Sequence, residues 1–446
     1  MSERLNVLII SIDTLRKDKL GVYGNKKNIT PNIDSFAKTS IVFDNAYSTG
    51  PWTGPGFGSM LSSKYPSDLG YTEEKNHNGE EKVYIINNNV KLIQEVMKEK
   101  RYMTACFQGN SGVCYPEAGY GRGFDVYETQ TKKDNTFNDF LKFIGLKKTY
   151  SAILTEKAKK FMNENRENNF FVWINLMEPH VPYAPFKYIN KARFISKDIY
   201  MAYFENNYSL LNLKKNPEYN LSYEEKIYVE DKYDMEVKIA DDFVGNILNH
   251  MKKTGLLEKT IIIFCSDHGE EFWEHGDNRS GTYDRGVDHG HTLYNELVNI
   301  PLILRIPYQH KKIKNKNTVS IMDIAPTIID LTDNDSDYGF DGIPLIKGNK
   351  ERKIFMESIM YGTEKKAVIK DNIKVIYHPD KEKYEIYNIE KDPNEKKDIS
   401  HLNDFNELKS SLLDWIKRDK IKLSKSKISE KGEKQMKQRL KDLGYF

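Results

Sequence analysis

The stretch that most constrains the fold is an apolar run at residues 6–12 that ends in a carboxylate, Asp13. A short run of branched aliphatic residues bounded by polar ones is typical of a strand buried on both faces of a parallel sheet. A second run, at residues 260–266, repeats the pattern and ends in Asp267 and His268. Open α/β sheets place their ligands at the carboxyl ends of the strands. We therefore expect Asp13, Asp267 and His268 to meet at one edge of a sheet.

Length and composition limit the classes of protein to which this chain can belong. With 446 residues, the chain has room for one large α/β domain and a smaller appendage. A net charge of +3 gives no electrostatic reason to bind nucleic acid. No apolar run reaches the ~18 residues that a membrane span needs, and the first strand begins too early for a secretory signal. The expectation is a cytoplasmic protein without a membrane span, and its oligomeric state stays open.

The apolar pattern changes near residue 338. Before it, apolar strand patterns and amphipathic helix patterns are interspersed. After it come short alternating strands and then a helix near residues 404–417. This predicts a large domain over residues 1–337, with a mostly parallel central sheet flanked by helices. Residues 338–446 should form a small α+β subdomain, with an antiparallel sheet, a covering helix and a basic helical tail.

Two further segments have the composition of a ligand site. Six glycines and prolines surround Thr53 in the segment 48–60. Such a loop lets backbone approach a ligand and can lead into a helix whose amino end favours anions. His180 follows another buried strand pattern, at 170–177. The segment 270–291, directly after Asp267 and His268, is dense in acid–base and ligating side chains, and this density favours a role in the site over a solvated loop: Glu270, Glu271, His275, Asp277, Asp284, Arg285, Asp288, His289 and His291.

These segments, in this order, resemble the sulfatase branch of the alkaline phosphatase superfamily. The resemblance covers nearly the whole chain, and its motifs lie at residues 6–16, 30–37, 52–59, 180–183, 233–234, 266–269, 289–294, 323–331, 387–393 and 443–445. It implies a large alkaline-phosphatase-like α/β domain with a metal site at the carboxyl ends of its strands. It also implies a small C-terminal antiparallel sheet, in agreement with the change of pattern near residue 338.

The chain departs from sulfatases at the nucleophile. Sulfatases oxidise a cysteine or serine in a Cys/Ser-x-Pro-x-Arg loop to formylglycine, whereas the corresponding run here is 53–57, Thr-Gly-Pro-Gly-Phe. Threonine cannot give that aldehyde, so no formylglycine is expected. Phe57 replaces the arginine, and Asp13-Thr14 replaces the usual Asp-Asp pair. The remaining set resembles members that transfer phosphoryl groups, including lipoteichoic-acid-type phosphoglycerol transferases and phosphodiesterases.

The resemblance and the residue chemistry together imply one divalent metal ion. Its expected ligands are Asp13, Thr53, Asp267 and His268. Mixed oxygen and imidazole ligands favour Mn²⁺, Zn²⁺ or Fe²⁺, with Ca²⁺ or Mg²⁺ as further possibilities. The ion would activate the Thr53 hydroxyl as the catalytic nucleophile.

His180 and His291 are the other expected catalytic residues, since imidazole can stabilise oxyanions or protonate a leaving alcohol near neutral pH. The expected substrate-binding residues are Asn110, Tyr183, Arg285 and His289.

Three functions fit this pattern. The first is hydrolysis or transfer of phosphate monoesters or diesters through Thr53. The second is a sulfuric ester hydrolase that works without formylglycine. The third is a catalytically degenerate metal-binding protein, suggested by Phe57 and by Gly56, where a small hydroxyl residue often sits. For an enzyme, the expected substrate is a small-molecule ester or the ester of a glycan or lipid headgroup, without a nucleic acid partner.

Overall fold

The computed structural model of the protein describes residues 4–71, 84–130, 149–181, 183, 222–275, 287–332, 337–347, 352–402, 405–418, 420–422 and 428–442. The helices are α1 (Pro31–Ala37), α2 (Thr53–Ser62), α3 (Pro66–Leu69), α4 (Ile93–Glu99), α5 (Tyr150–Glu164), α6 (Tyr223–Lys253), α7 (Asn295–Val298), α8 (Ile324–Thr332), α9 (Asn406–Lys417) and α10 (Glu430–Asp442).

The strands form a large sheet, a small sheet and a two-stranded ribbon. The large sheet contains β1 (Asn6–Ile12), β2 (Ile41–Tyr47), β3 (Met103–Gln108), β4 (Val126–Thr129), β5 (Phe170–Leu176), β6 (Thr260–Ser266), β9 (Leu302–Arg305) and β10 (Ile313–Ser320). The ribbon is β7 (Glu271–Phe272) with β8 (Val287–Asp288). The small sheet contains β11 (Ile354–Met356), β12 (Lys366–Lys370), β13 (Ile373–His378) and β14 (Lys383–Asn388).

The large sheet has the order β10-β2-β9-β6-β1-β5-β3-β4. Strand β1 lies inside it and pairs in parallel with both β5 and β6. Strand β9 runs antiparallel to its neighbours β2 and β6. The sheet is therefore mixed but mostly parallel.

The apolar run of β1 is explained by burial on both faces. Successive side chains of a strand point to opposite faces. Val7 and Ile9 pack into the core that contains α2, α4 and α8 side chains. Leu8 and Ile10 pack into the core on the other face, with side chains of α1, α5 and α6. Helices on both faces account for a strand that shows no polar alternation.

The small antiparallel sheet is covered on one face by α9. Leu412 and Trp415 of α9 pack in one core cluster with Val368 and Val375 of the sheet. The Trp415 ring stacks on Phe355, with centroids 4.8 Å apart. Apolar residues of the other face cluster with residues of the large domain around α7. The small sheet is thus wedged between a helix and the large domain.

The fold class predicted from the sequence is confirmed: a mostly parallel α/β domain is followed by a small antiparallel sheet with a covering helix. The domain boundary at residues 337 and 338 stays a prediction. The motif at 443–445 lies outside the described residues. In the described part of the chain, every helix is too short or too polar to cross a membrane.

Candidate active site

The candidate site lies at the carboxyl edge of the large sheet, where β1 and β6 end at the same level. Ile12 of β1 is in register with Ser266 of β6. The residues that follow, Asp13 and Asp267, therefore leave neighbouring strands side by side. Both carboxylates are fully buried.

The turn after β1 is held by two side chains from distant parts of the chain. Thr14 has a φ of 57°, in the left-handed region that is unusual for a threonine. Its backbone N–H donates to Asp267 Oδ1 at 3.3 Å. The Tyr233 hydroxyl donates to the Thr14 carbonyl at 2.6 Å and accepts from the Arg16 N–H at 2.9 Å. These hydrogen bonds fix the backbone of the turn directly after Asp13 and thereby help to position the Asp13 side chain.

Thr53 is the first residue of α2, and the glycine-rich sequence brings this helix close to the sheet edge. All ten residues of α2 are buried. A Cβ added at Gly56 would lie 2.7 Å from the Asp267 carbonyl oxygen. Only a residue without a side chain allows that approach. Pro55 is tolerated because it sits in the first helical turn.

The Thr53 hydroxyl lies among the polar groups of the sheet edge. Its Oγ1 is 3.4 Å from Asp13 Oδ1 and 3.4 Å from His268 Nε2. Asn110, which follows β3, donates from Nδ2 to Asp13 Oδ2 at 2.9 Å, and the same nitrogen lies 3.4 Å from Thr53 Oγ1. The Asn110 Oδ1 atom accepts from the Val113 N–H at 3.1 Å, which sets the orientation of the amide.

His268 has the orientation and the protonation state that a metal-binding histidine requires. Its Nδ1 lies 2.8 Å from the Gly269 carbonyl oxygen, which can only accept, so Nδ1 carries the proton. The lone pair of Nε2 is then free to face Asp13 Oδ1 at 3.7 Å and Asp267 Oδ2 at 3.4 Å. Burial lowers the pKa of His268 well below its ordinary value. A neutral imidazole with a bonded outer nitrogen is what metal ligation requires.

The donor set at this edge fits a divalent cation. Single ligand atoms of Asp13, Asp267 and His268 all lie within 4.8 Å of one another. Asp267 Oδ2 accepts no hydrogen bond from the described residues, although it is buried. Burial, together with the Asp13 carboxylate, raises the pKa of Asp267 well above its ordinary value. Two adjacent buried carboxylates of this kind are stabilised by a cation.

A second group of buried side chains adjoins the first. The rings of His289 and His268 have centroids 4.4 Å apart, and the His180 ring lies 5.1 Å from His289. Nδ1 of His289 lies 3.2 Å from Glu270 Oε1 and 2.9 Å from Asp288 Oδ1. Although burial opposes the charge, these two carboxylates raise the pKa of His289 to about 10. The geometry brings His180 and His289 together beside the edge that carries Asp13, Asp267 and His268.

The structure describes the surroundings of most of the other residues predicted from the sequence. His291 is buried, and its Nε2 lies 2.6 Å from Glu271 Oε2. Tyr183 is buried in an aromatic group, with its ring centroid 5.6 Å from that of Tyr233. Arg285 lies outside the described residues. Phe57, at the position of the sulfatase arginine, is fully buried and packs edge-on against Trp173 at 5.1 Å.

The sequence analysis named Glu270 only as one of the side chains of the segment 270–291 and Tyr233 only as part of the motif 233–234, without a specific role for either. Glu270 is the residue directly after the Asp-His-Gly run, and a second carboxylate so close to a strand end was an available signal. Tyr233 lies in a helix 217 residues from Arg16, which it contacts, and no local pattern reports that pairing.

The comparisons with known proteins identify the family. The profile of the family described as Sulfatase matches residues 5–334. The chain belongs to the sulfatase family. A second profile, described as the C-terminal part of N-sulphoglucosamine sulphohydrolase, matches residues 283–422. The family expected from the motifs is thereby confirmed.

Several curated sulfatases are similar to this sulfatase-family chain at low identity. An ulvan-active sulfatase of Formosa agariphila is 24% identical over 76% of this chain and 63% of its own length. An uncharacterized sulfatase of Escherichia coli is 23% identical over 94% of this chain and 88% of its own. An N-acetylglucosamine-6-O-sulfatase of Bacteroides thetaiotaomicron is 23% identical over 74% and 68%. This chain thus spans less than two thirds of the ulvan-active enzyme.

Solved structures share the fold. One is a protein bound to its substrate D-glucosamine-2-N,6-O-disulfate, with a TM-score of 0.69 and 17% identity over 98% of this chain and 99% of its own. Another is the phosphonate monoester hydrolase of Agrobacterium radiobacter, with a TM-score of 0.64 and 15% identity over 93% and 94%. The same sulfatase-family fold therefore occurs in proteins named for sulfated and for phosphonate substrates.

Proposed function

We propose that this chain is a metal-dependent hydrolase that cleaves the ester of a tetrahedral oxyanion on a sugar-like alcohol, with Thr53 as nucleophile. A sulfuric ester is the first candidate and a phosphate ester is the second. The observation that carries the proposal is the convergence of Thr53 with Asp13 and His268 at the start of α2. A hydroxyl at a helix amino end, beside a cation-binding edge, is placed to meet an anion.

The sulfuric ester is supported by the comparisons. The curated relatives carry sulfatase names, and some of those names specify a sugar: N-acetylglucosamine, iduronate and hexuronate. One structural neighbour is bound to a disulfated glucosamine. A sulfatase that uses Thr53 directly would differ from enzymes that use formylglycine in its second step, because it must release sulfate from the threonine by attack of water.

The phosphate ester is supported by Thr53 itself and by the phosphonate monoester hydrolases among the structural neighbours. The β-carbon of threonine carries a methyl group, so it cannot be oxidised to the aldehyde. Water can release the phosphate from a phosphorylated threonine by attack at phosphorus. This route does not need the elimination that an aldehyde hydrate allows. If a sugar or glycerol hydroxyl replaces that water, the same site becomes a transferase.

The proposed chemistry has two steps. Thr53 Oγ1 forms a bond to sulfur or phosphorus, the bond from that atom to the alcohol oxygen breaks, and the hydroxyl proton is lost to a base. The departing alkoxide takes a proton and leaves as the alcohol. Water then attacks the esterified threonine, restoring the hydroxyl and releasing sulfate or phosphate. A divalent cation would lower the pKa of the hydroxyl and neutralise charge on the ester oxygens.

The remaining roles in this proposal belong to histidines and to other polar residues around the site. His180 and His289 lie together beside His268, so they are placed to contact the oxyanion or the leaving oxygen. Asn110 orients Asp13 and contacts the Thr53 hydroxyl, which suits a substrate-side or positioning role. His291 would act on the reaction indirectly, through Glu271, unless substrate reaches it. Tyr183 and Arg285 remain candidate substrate contacts.

The proposed organisation places this chemistry in residues 1–337. Residues 338–446 would form the subdomain that supports one side of the site, since Lys365 donates from Nζ to the His291 carbonyl at 2.9 Å. The expected substrate is a small molecule or a glycan or lipid-headgroup ester.

An ester panel tests the function. The purified protein, loaded in turn with Mn²⁺, Zn²⁺ and Ca²⁺, is assayed on matched sulfate, phosphate monoester and phosphodiester derivatives of one chromogenic alcohol and on sulfated glucosamines. Metal-dependent release of sulfate supports the first candidate, and preferential release of phosphate supports the second. A protein that binds the ion but cleaves none of these esters is the degenerate alternative, and the proposal fails.

A further inference from the structure

Trp52, directly before the candidate nucleophile Thr53, is anchored by its side chain. Its Nε1 donates to the Ser358 carbonyl oxygen at 2.7 Å, in a buried hydrogen bond. The indole ring lies over the first turn of α2, because a Cβ added at Gly54 would be 2.6 Å from the Trp52 Cζ3 atom. Only a glycine at position 54 leaves room for the ring. The residue before Thr53 therefore has its side chain fixed by a bond to a distant part of the chain.

The backbone directly after Thr53 is held from another direction. The hydroxyl of Tyr120, a fully buried residue, donates to the Gly54 carbonyl oxygen at 3.1 Å. A carbonyl oxygen can only accept, so the single proton of the Tyr120 hydroxyl lies in this bond. Burial raises the pKa of Tyr120 well above its ordinary value, which keeps that proton in place. The Tyr71 hydroxyl, 2.7 Å from the Tyr120 oxygen, is then the donor of the bond between the two hydroxyls.

Ser358, the acceptor for Trp52, is itself fixed by hydrogen bonds. It follows β11 of the small sheet, and its Oγ donates to the Tyr71 carbonyl oxygen at 2.8 Å. The N–H of the preceding residue, Glu357, donates to the Thr49 carbonyl oxygen at 2.9 Å. The anchor of Trp52 is thus tied to the loop that leads into α2.

The same segment of the small sheet also reaches the loop that follows β8. The N–H groups of Met360 and Tyr361 donate to the Gly290 carbonyl oxygen at 2.7 Å and 3.0 Å. The Gly290 N–H in turn donates to the Pro51 carbonyl oxygen at 2.9 Å. Residues 357–361 therefore tie the loop before α2 and the loop after β8 to one another.

We propose that Trp52 and Tyr120 are positioning residues that hold Thr53 in the geometry for attack on the ester. The inference rests on the proposed function, in which Thr53 is the nucleophile. Each of the two residues acts through the chain next to Thr53: Trp52 is its preceding neighbour, and Tyr120 holds the carbonyl of the following residue, Gly54. Such support matters because a displacement of about 1 Å in a reacting group can cost about 10²-fold in rate.

Two conservative variants remove these bonds and keep an aromatic ring at each position. Trp52→Phe removes the indole N–H, and Tyr120→Phe removes only the hydroxyl. Trp415→Phe is the control for the first, since the Trp415 indole nitrogen has no hydrogen-bond partner within the described residues. Tyr71→Phe is the control for the second, because it removes a hydroxyl from the same pair but leaves the bond from Tyr120 to Gly54 intact.

Crystal structures of the full-length wild type and of the four variants measure the position of the Thr53 hydroxyl. In Trp52→Phe and Tyr120→Phe we expect Thr53 Oγ1 to move by more than ~0.5 Å relative to Asp13 and His268, since ~0.5 Å is the tolerance of a productive geometry. In the two controls it should stay in place. A hydroxyl that is unmoved in both test variants, or that moves equally in the controls, overturns the inference. If one test variant does not fold, the other decides.

Kinetics with an ester that the wild type cleaves separate positioning from a loss of folded protein, with the folded fraction measured by circular dichroism. We expect kcat to fall by about 10²-fold in the two test variants at unchanged KM, because the substrate contacts remain while the nucleophile is displaced. A displaced hydroxyl with unchanged kcat keeps the positioning and removes Thr53 as the nucleophile, so the proposed function fails. If the wild type cleaves no ester, the proposed function also fails, and the crystal structures still decide the inference.

Discussion

Asn110 holds Asp13 in place through a hydrogen bond of 2.9 Å between Nδ2 and Oδ2. The two residues follow different strands of the large sheet, β3 and β1, with β5 between them. The same amide nitrogen lies 3.4 Å from Thr53 Oγ1. One side chain therefore sets the spacing between a candidate ligand and the candidate nucleophile.

Replacing Asn110 with alanine should weaken metal binding and slow ester cleavage. Without the amide, the Asp13 carboxylate can rotate away from the other ligands. Loss of an outer-shell partner of this kind typically costs about 10–100-fold in metal affinity or activity. Isothermal titration with Mn²⁺ measures the affinity. Asn45→Ala is the control, because Asn45 donates to a backbone carbonyl at an exposed position and should leave the affinity unchanged.

Gly56→Ala should lower metal affinity although Gly56 offers no ligand. The new Cβ would meet the Asp267 carbonyl oxygen at 2.7 Å and its Cβ at 2.9 Å, so either α2 or Asp267 must move. Gly58→Ala is the matched control in the same helix, since its Cβ would meet the end of the Leu69 side chain at 2.9 Å. Equal metal affinities in the two variants would show that the Gly56 contact does not position Asp267.

Glu385→Gln should destabilise the protein at neutral pH and much less in acid. Burial raises the pKa of Glu385, but hydrogen bonds from His378 and Tyr294 outweigh it and lower the pKa to about 2. The ionised carboxylate therefore stabilises the fold above its ordinary pKa of 4.5, and this contribution is lost as the pH falls toward 2. Thermal unfolding at pH 7 and pH 3 tests the prediction, with the exposed Glu382→Gln as control. A deficit of the same size at both pH values would contradict it.

Much of the fold, and the meeting of Asp13 with Asp267, were predictable because they depend on local patterns. Buried strands such as β1 and β6 can be predicted from their own runs of apolar residues. Because the carboxyl ends of parallel strands meet at one edge of a sheet, Asp13 and Asp267 are then expected to lie together. The pairing of Glu270 with His289 depends on the ribbon of β7 and β8, which is only two residues long in each strand. A ribbon that short leaves no pattern in the sequence.

The environment of Phe57 could not be predicted from the sequence. The sequence identified it as a departure from the sulfatase loop, but its environment depends on how α2 packs against the sheet. The structure turns Phe57 into the core against Trp173. Neither helix periodicity nor composition specifies that contact, because it joins two segments that are distant in the sequence.

Introducing the sulfatase arginine at position 57 should therefore not increase the release of sulfate. Phe57→Arg would place a charge in a fully buried apolar position, at a cost of several kcal/mol in the free energy of unfolding. Urea denaturation should show a large loss of stability, while Phe57→Leu should lose much less because it keeps an apolar side chain. A stable Phe57→Arg protein with increased sulfate release would show that the position faces the substrate.

Thr53 is the decisive residue for the mechanism. Thr53→Ser keeps the hydroxyl and should retain measurable ester cleavage. Thr53→Ala removes the nucleophile and should lose at least ~10²–10⁴-fold in kcat, the scale typical of a lost catalytic group. Thr49→Ala is the control, because Thr49 is also buried and its hydroxyl bonds to Ser59 Oγ at 2.8 Å without touching the site.

Peptide mass spectrometry of the resting and the reacting enzyme completes the Thr53 test. The resting protein should carry unmodified threonine at position 53, since its β-methyl group blocks formation of formylglycine. After brief reaction and acid quench, the same peptide should gain one phosphoryl or one sulfuryl group, and the mass of that group identifies the ester that the site transfers. If Thr53→Ala keeps full activity, or if the label appears on another residue, water or a different side chain attacks the ester. Thr53 would then act only as a ligand of the metal, because its hydroxyl still lies 3.4 Å from both Asp13 Oδ1 and His268 Nε2.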